Sequence, residues 1–199
     1  MKTKFLTIVA LIVLAVVASK NTYASENNSN EDVTVLTNVS HINKIEIHGN
    51  VELYVSDGTA DQVKVYNKYY SESALVQSQN GVLRISSYKA QKLVVWVTAA
   101  DLRAISAYDN AEVKSFGNLS KIDLDVNLYN NSTAVLNLEA YKANITVNDN
   151  AKVALTGSVN EYSLQYAQAA NVTQNDFTAV NITKTQIGNK AKNIELAGL

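Results

Sequence analysis

Tyr108-Asp109-Asn110-Ala111 returns in altered form as Asn130-Asn131-Ser132, Asp149-Asn150-Ala151, Gln168-Ala169-Ala170 and Gly188-Asn189-Lys190. Counted from Asp109, each of Asn130, Asp149, Gln168 and Gly188 follows the mark before it by roughly the same step, about twenty positions. A near-constant interval of this size marks a stack of similar coils. The columns around the repeat agree. Ile105, Val126, Ile145 and Leu164 fall four residues before it; Ala107, Leu128, Val147 and Tyr166 fall two before; Val113, Ala134, Val153 and Val172 fall four after. The fifth unit breaks the pattern with Lys184 and Gln186, as expected of a terminal coil that must close the core against water.

A six-residue strand spans about 20 Å, so twenty residues cannot hold two long strands with their turns. They can wrap once around as short strands separated by corners. The expected architecture is therefore all-β, a parallel β-helix of ~20-residue coils with a less regular N-terminal part. Asn110, Asn131 and Asn150 would then lie above one another as an asparagine ladder, and Asn tolerates the left-handed backbone that corners need. The small residues beside them let the corner be tight.

Upstream the dominant period is two, as in strands with one buried face. Ile45 and Ile47 alternate with Lys44, Glu46 and His48, and Val51, Leu53 and Val55 alternate with Glu52, Tyr54 and Ser56. Gly49-Asn50 between them fits either a hairpin turn or a coil corner. Asp57-Gly58 and Asn80-Gly81 are further turn signals. Tyr69 to Gln77 reads as briefly helical or irregular.

Lys2 and Lys4, an apolar run from Phe5 to Ala18 and the small-residue site Thr22-Tyr23-Ala24 have the order of a secretory signal peptide over residues 1–24. Residues 25–40, polar throughout from Ser25 to Asp32, read as a flexible lead-in. A single domain over 41–199 follows, with order beginning near Ile42. Loss of residues 1–24 removes three lysines and no acid, leaving a net charge of −4. That balance, with only two arginines, disfavours nucleic acid as a partner. No stable membrane insertion is expected after cleavage. Without cysteine, the chain has no disulfide, acyl-cysteine anchor or thiolate metal site.

The segments Ile45-Glu46-Ile47-His48-Gly49, Asn80-Gly81-Val82-Leu83-Arg84-Ile85, Val95-Trp96-Val97 and Asp101-Leu102-Arg103-Ala104-Ile105, followed by small-polar corners, resemble the GIN domain, the head domain of auto-transporter adhesins. The resemblance covers residues 41 to 196 and rests on order and spacing. Family corners often read Ser-Gly-Ser-Gly, where this chain has Asp-Asn-Ala, Asn-Asn-Ser and Gln-Ala-Ala. The resemblance implies a right-handed β-helix with an antiparallel or mixed N-terminal part, and it brings no catalytic residues.

Eleven tyrosines stand against three phenylalanines and one tryptophan. Tyr108 and Tyr129 share a column, and Tyr141 and Tyr162 are separated by that same interval. Outward aromatic rows of this kind can serve as platforms for a glycan or a cell-surface protein, or can simply pack strand against strand. The leading expectation is a non-enzymatic exported module, at the cell surface, in the periplasm or outside the cell, acting as an adhesin or binding protein. Neither cofactor nor metal is expected. A glycoside hydrolase using Asp109 and Asp149 and a purely structural envelope protein are the alternatives.

Overall fold

The computed structural model describes residues 33–36, 39, 41–66 and 74–188. They form β1 (Val33–Leu36), β2 (Lys44–Gly49), β3 (Val51–Asp57), β4 (Gln62–Tyr66), β5 (Ala74–Gln79), β6 (Val82–Ser87), β7 (Leu93–Ala99), β8 (Ala104–Ala107), β9 (Glu112–Ser115), β10 (Leu119–Leu128), β11 (Thr133–Val147), β12 (Lys152–Tyr166) and β13 (Val172–Gln186), with one 3-10 turn at Ala169–Asn171. All thirteen strands belong to one mixed sheet. The long β11 takes β9 against its first residues and β10 against its later ones, so the sheet curls around a single core.

Parallel pairing carries the repeat. Ile105 pairs with Val126, Val126 with Ile145, and Ile145 with Leu164. On the facing limb Val113 pairs with Ala134, Ala134 with Val153 and Val153 with Val172. These are the columns the spacing predicts. Both continue upstream, because Ile45 lies between Leu83 and Ile105, and Leu53 between Val95 and Val113. β2 and β3 do not pair with each other, which makes Gly49-Asn50 a corner rather than a hairpin.

The sheet is not parallel throughout. β5 pairs antiparallel with β6, and β4 antiparallel with β7, at the N-terminal end of the stack. Asn80 and Gly81 both have positive φ, 51° and 79°, which a two-residue hairpin requires, and they reverse the chain between β5 and β6. Two expectations need correction. Val33–Leu36, inside the predicted lead-in, is a strand paired with β4, because three consecutive β-branched residues, Val33 to Val35, met an available edge. Ala74–Gln77, expected to be helical or irregular, belongs to β5. The predicted signal peptide, most of the lead-in and Tyr69 to Ser73 lie outside the described residues.

The core is aliphatic. Ile45, Ile47, Leu53, Leu83, Leu93, Ile105, Leu119 and Leu128 are fully buried. At β13 the inward columns turn polar. Gln174 follows Leu155 and Lys184 follows Leu164. Lys184 Nζ donates to Gln174 Oε1 at 2.8 Å, and Gln174 Nε2 donates to the Tyr162 hydroxyl at 2.8 Å. This bridge between the limbs forms a polar lid over the last apolar layer.

Near the opposite corner, Lys121 forms an ion pair with Asp57, whose second oxygen accepts the Ser120 N–H at 2.5 Å. The Lys121 side chain is almost wholly buried. It ties β3 to β10, with all of β4 to β9 lying between them in the chain.

Candidate functional site

The corners hold together through a column one residue before the predicted asparagines. Asp109, Asn130 and Asp149 have positive φ of 61°, 58° and 53°, and each side chain accepts a backbone N–H from the preceding coil. Asp109 Oδ2 takes Gly49 N–H at 3.0 Å, Asn130 Oδ1 takes Asp109 N–H at 3.1 Å, and Asp149 Oδ2 takes Asn130 N–H at 2.9 Å. Asn131 and Asn150 contribute their backbone N–H groups, to Asp109 O at 2.9 Å and Asn130 O at 3.0 Å. The side chains of Asn110, Asn131 and Asn150 are exposed, and the ladder runs through the left-handed residue because its side chain folds back along the stack. Ala111, Ser132 and Ala151 are fully buried, so the small residues of the corner point inward.

This arrangement also engages one oxygen, Oδ2, of each carboxylate of the hydrolase alternative. Asp109 and Asp149 are separated by the Asn130 corner, and each satisfies a backbone N–H.

Tyr108 and Tyr129 come together as the column predicts. Their rings are parallel within 3° at 4.8 Å, and His48 stacks on Tyr108 at 4.3 Å and 2°. Stacking covers both faces of Tyr108, so this column presents mainly ring edges and hydroxyls to solvent. Tyr141 and Tyr162 do not meet. The coils here are shorter than the one before them, which sets Lys142 against Glu161 and Ala143 against Tyr162. Tyr141 is 55% exposed, with its hydroxyl donating to Glu161 at 3.3 Å. Tyr162 is 2% exposed and edge-on to Phe177, so it is core rather than platform. Burial pushes its phenol well above the ordinary tyrosine range.

A second aromatic group lies on the outward face of β3, β4 and β7, completed by a residue of the link after β9. Tyr54 stacks on Trp96 at 4.7 Å, and Tyr66 and Phe116 meet Trp96 at tilts of 56° and 57°. Phe116, in the link after β9, is 61% exposed. It edges an open cleft of 360 Å³ bounded by Tyr54 and Gly117 on its own side and by Val135, Asn137 and Thr156 on the following coils. Lys114 Nζ sits 5.6 Å over the Tyr54 ring and pairs with Glu52 at 2.5 Å and Glu112 at 3.4 Å; Lys92 pairs with Glu112 at 2.6 Å. The bond from Lys114 is the main reason the Glu52 carboxyl titrates below its usual range. No repeat spacing marks this group in the sequence. Alternation puts Tyr54 and Trp96 outward, but Phe116 lies beyond the strand, where no periodicity places it.

Comparison with known proteins agrees with this architecture. The family model described as "Putative auto-transporter adhesin, head GIN domain" matches residues 41–190, and the chain belongs to that family. A putative adhesin of Bacteroides fragilis superposes with a TM-score of 0.63 at 18% identity, covering 80% of this chain and 78% of that one. A putative adhesin of Parabacteroides merdae gives 0.63 at 14% identity, with 81% and 79% covered. A putative lipid binding protein of Parabacteroides distasonis gives 0.59 at 12%, with 80% and 79% covered. At these identities the likeness establishes a shared fold. No curated protein matches the chain.

Proposed function

We propose that this member of the GIN adhesin-head family is an exported, non-enzymatic binding module whose partner lands on the aromatic face around Trp96. The observation that carries the reading is Phe116, an exposed phenylalanine leaning on the only tryptophan beside an open cleft. Aromatic side chains left at a surface in this way are the usual anchors of an interface. The partner is a glycan or a protein of a cell surface. The His48–Tyr108–Tyr129 column acts as packing between coils.

Residues 1–24 direct export in this reading, and the family description favours a cell-surface destination. The parallel pairing of β11 with β12 at a constant offset supports a β-helix for the C-terminal coils, with the right hand that the family resemblance implies, a rigid stack suited to displaying a face. The bonds from Oδ2 of Asp109 and Asp149 to backbone N–H groups support a structural role for these aspartates in the corners.

The test is antibody labelling of intact cells that make the chain, together with their adhesion when the gene is deleted. Surface labelling and loss of adhesion on deletion are expected. A chain sealed inside the envelope, or adhesion that does not depend on it, contradicts the proposal.

A further inference from the structure

We infer that the cleft beside Phe116 takes a neutral saccharide chain, an inference that rests on the binding role proposed above. Three observations select this ligand. The first is charge. Lys114 and Lys92 are matched by Glu52 and Glu112 within hydrogen-bond or ion-pair distance, so among the described residues neither a uronate nor a phosphate meets a free cation here. The second is the lining. The cleft joins the rings of Tyr54 and Phe116 and the Val135 side chain to the amide of Asn137 and the hydroxyl of Thr156. A pyranose offers the same mixture, an apolar C–H face and a rim of hydroxyls. The third is the backbone. Thr133 to Leu138 is paired throughout with β12 on one side; on the other, Thr133 to Val135 pair with β9 and Leu138 with β10, and the Asn137 N–H between them is taken by Ser115 Oγ at 2.8 Å. The gap in strand pairing at the cleft is two residues, Leu136 and Asn137, with the Asn137 N–H already used, which is too short an edge to pair with an extended peptide.

The coil step of about 4.8 Å sets the spacing of the polar groups. Asn137 and Thr156 lie on successive coils, directly paired in the sheet. Both line the cleft with Phe116, and since the Asn137 amide nitrogen already donates to Asn118 Oδ1, its amide oxygen and the Thr156 hydroxyl are the groups a linear chain can use. Gly117 leaves the approach open, with nothing within 4 Å of the position a Cβ would take.

The experiment uses the processed chain purified from cells that make it, titrated with gluco-, manno- and galacto-hexasaccharides and with a uronate hexamer. Trp96, the only tryptophan, reports binding by its emission. A saturable change is expected with at least one neutral hexamer and none with the uronate. Phe116→Ala weakens binding about tenfold, the loss of roughly 1.4 kcal/mol; Phe116→Tyr restores it, and Tyr108→Phe leaves it unchanged. Phe116 is exposed, so circular dichroism and the melting curve should be those of the wild type. Absence of a response to all neutral hexamers, equal binding of the uronate, or wild-type affinity in Phe116→Ala overturns the inference. If adhesion persists but is abolished by proteolysis of the target surface, the saccharide falls while the binding role stands. If adhesion is absent, both fall.

Discussion

The carboxylate of Asp109 accepts the backbone N–H of Gly49 at 3.0 Å, joining two corners sixty residues apart in the chain. Between them the chain builds β4 to β7, of which β6 and β7 pair in parallel on one side of β2 and β3, and then crosses to the other side with β8 alongside β2. The bond therefore closes a long excursion at a position where Gly49 is itself obligatory. A Cβ there would lie 2.2 Å from Ser87 O.

Asp109→Ala removes that acceptor and places alanine at a φ of 61°. Destabilisation of about 1–3 kcal/mol follows from an unsatisfied N–H and a left-handed alanine. Asp109→Asn keeps both the acceptor and the backbone tolerance and should cost little. Urea unfolding checks this: the midpoint falls for the alanine variant while the slope stays constant.

Two glycines with similar backbones should behave differently. Gly157 has φ +98°, and a Cβ there would meet Leu138 O at 2.1 Å; Gly117 has φ +80° and open space. Gly157→Ala should cost roughly 3 kcal/mol or more, combining strain with a backbone clash. Gly117→Ala loses only the conformational part, about 1 kcal/mol. Thermal melts of the two variants separate these effects.

Acid should weaken the fold through Glu52 and Glu46. Their carboxyls titrate below the usual range chiefly because Lys114 and Lys44, respectively, donate to them. A lowered folded-state value means that the contribution is present above the unfolded value, about 4.3, and is lost as pH falls through the folded one. Melting temperature measured from pH 7 to pH 3 should fall less in Glu52→Gln than in wild type.

At the alkaline end Tyr162 acts in the opposite sense. Its phenol is raised by burial, so its contribution is complete below about pH 10 and is lost as pH rises further. Absorbance at 295 nm should show one tyrosine resisting ionisation until the chain unfolds, and Tyr162→Phe should abolish that late step.

Much of the C-terminal half is legible in the sequence because a stack sets like residues on like. Ile105, Val126, Ile145 and Leu164 announce their pairing by spacing alone. The N-terminal half is not legible to the same degree. β6 and β7 lie outside β2 and β3, and a pairing such as Leu83 with Ile45 repeats nowhere else to form a period. Spacing sets the ladder one residue too late, since it finds the corner but not which of its residues is left-handed. Spacing also turns Tyr162 outward, because the long coil from Asp109 to Asn130 sets an offset that the later, shorter coils do not keep. Of the candidate site, the Tyr108–Tyr129 stack follows from the columns. The Trp96 group does not, since its exposed member Phe116 is set by a turn.

The most direct measurement is adhesion of beads carrying the chain to the surface of target cells, comparing wild type, Phe116→Ala, and the double variant Tyr108→Ala/Tyr129→Ala. Phe116→Ala is predicted to lose most of the adhesion, while the double variant, though less stable, keeps it at a temperature where it is folded. Adhesion retained by Phe116→Ala and lost by the folded tyrosine variant would contradict the assignment and move the binding face to the corner column.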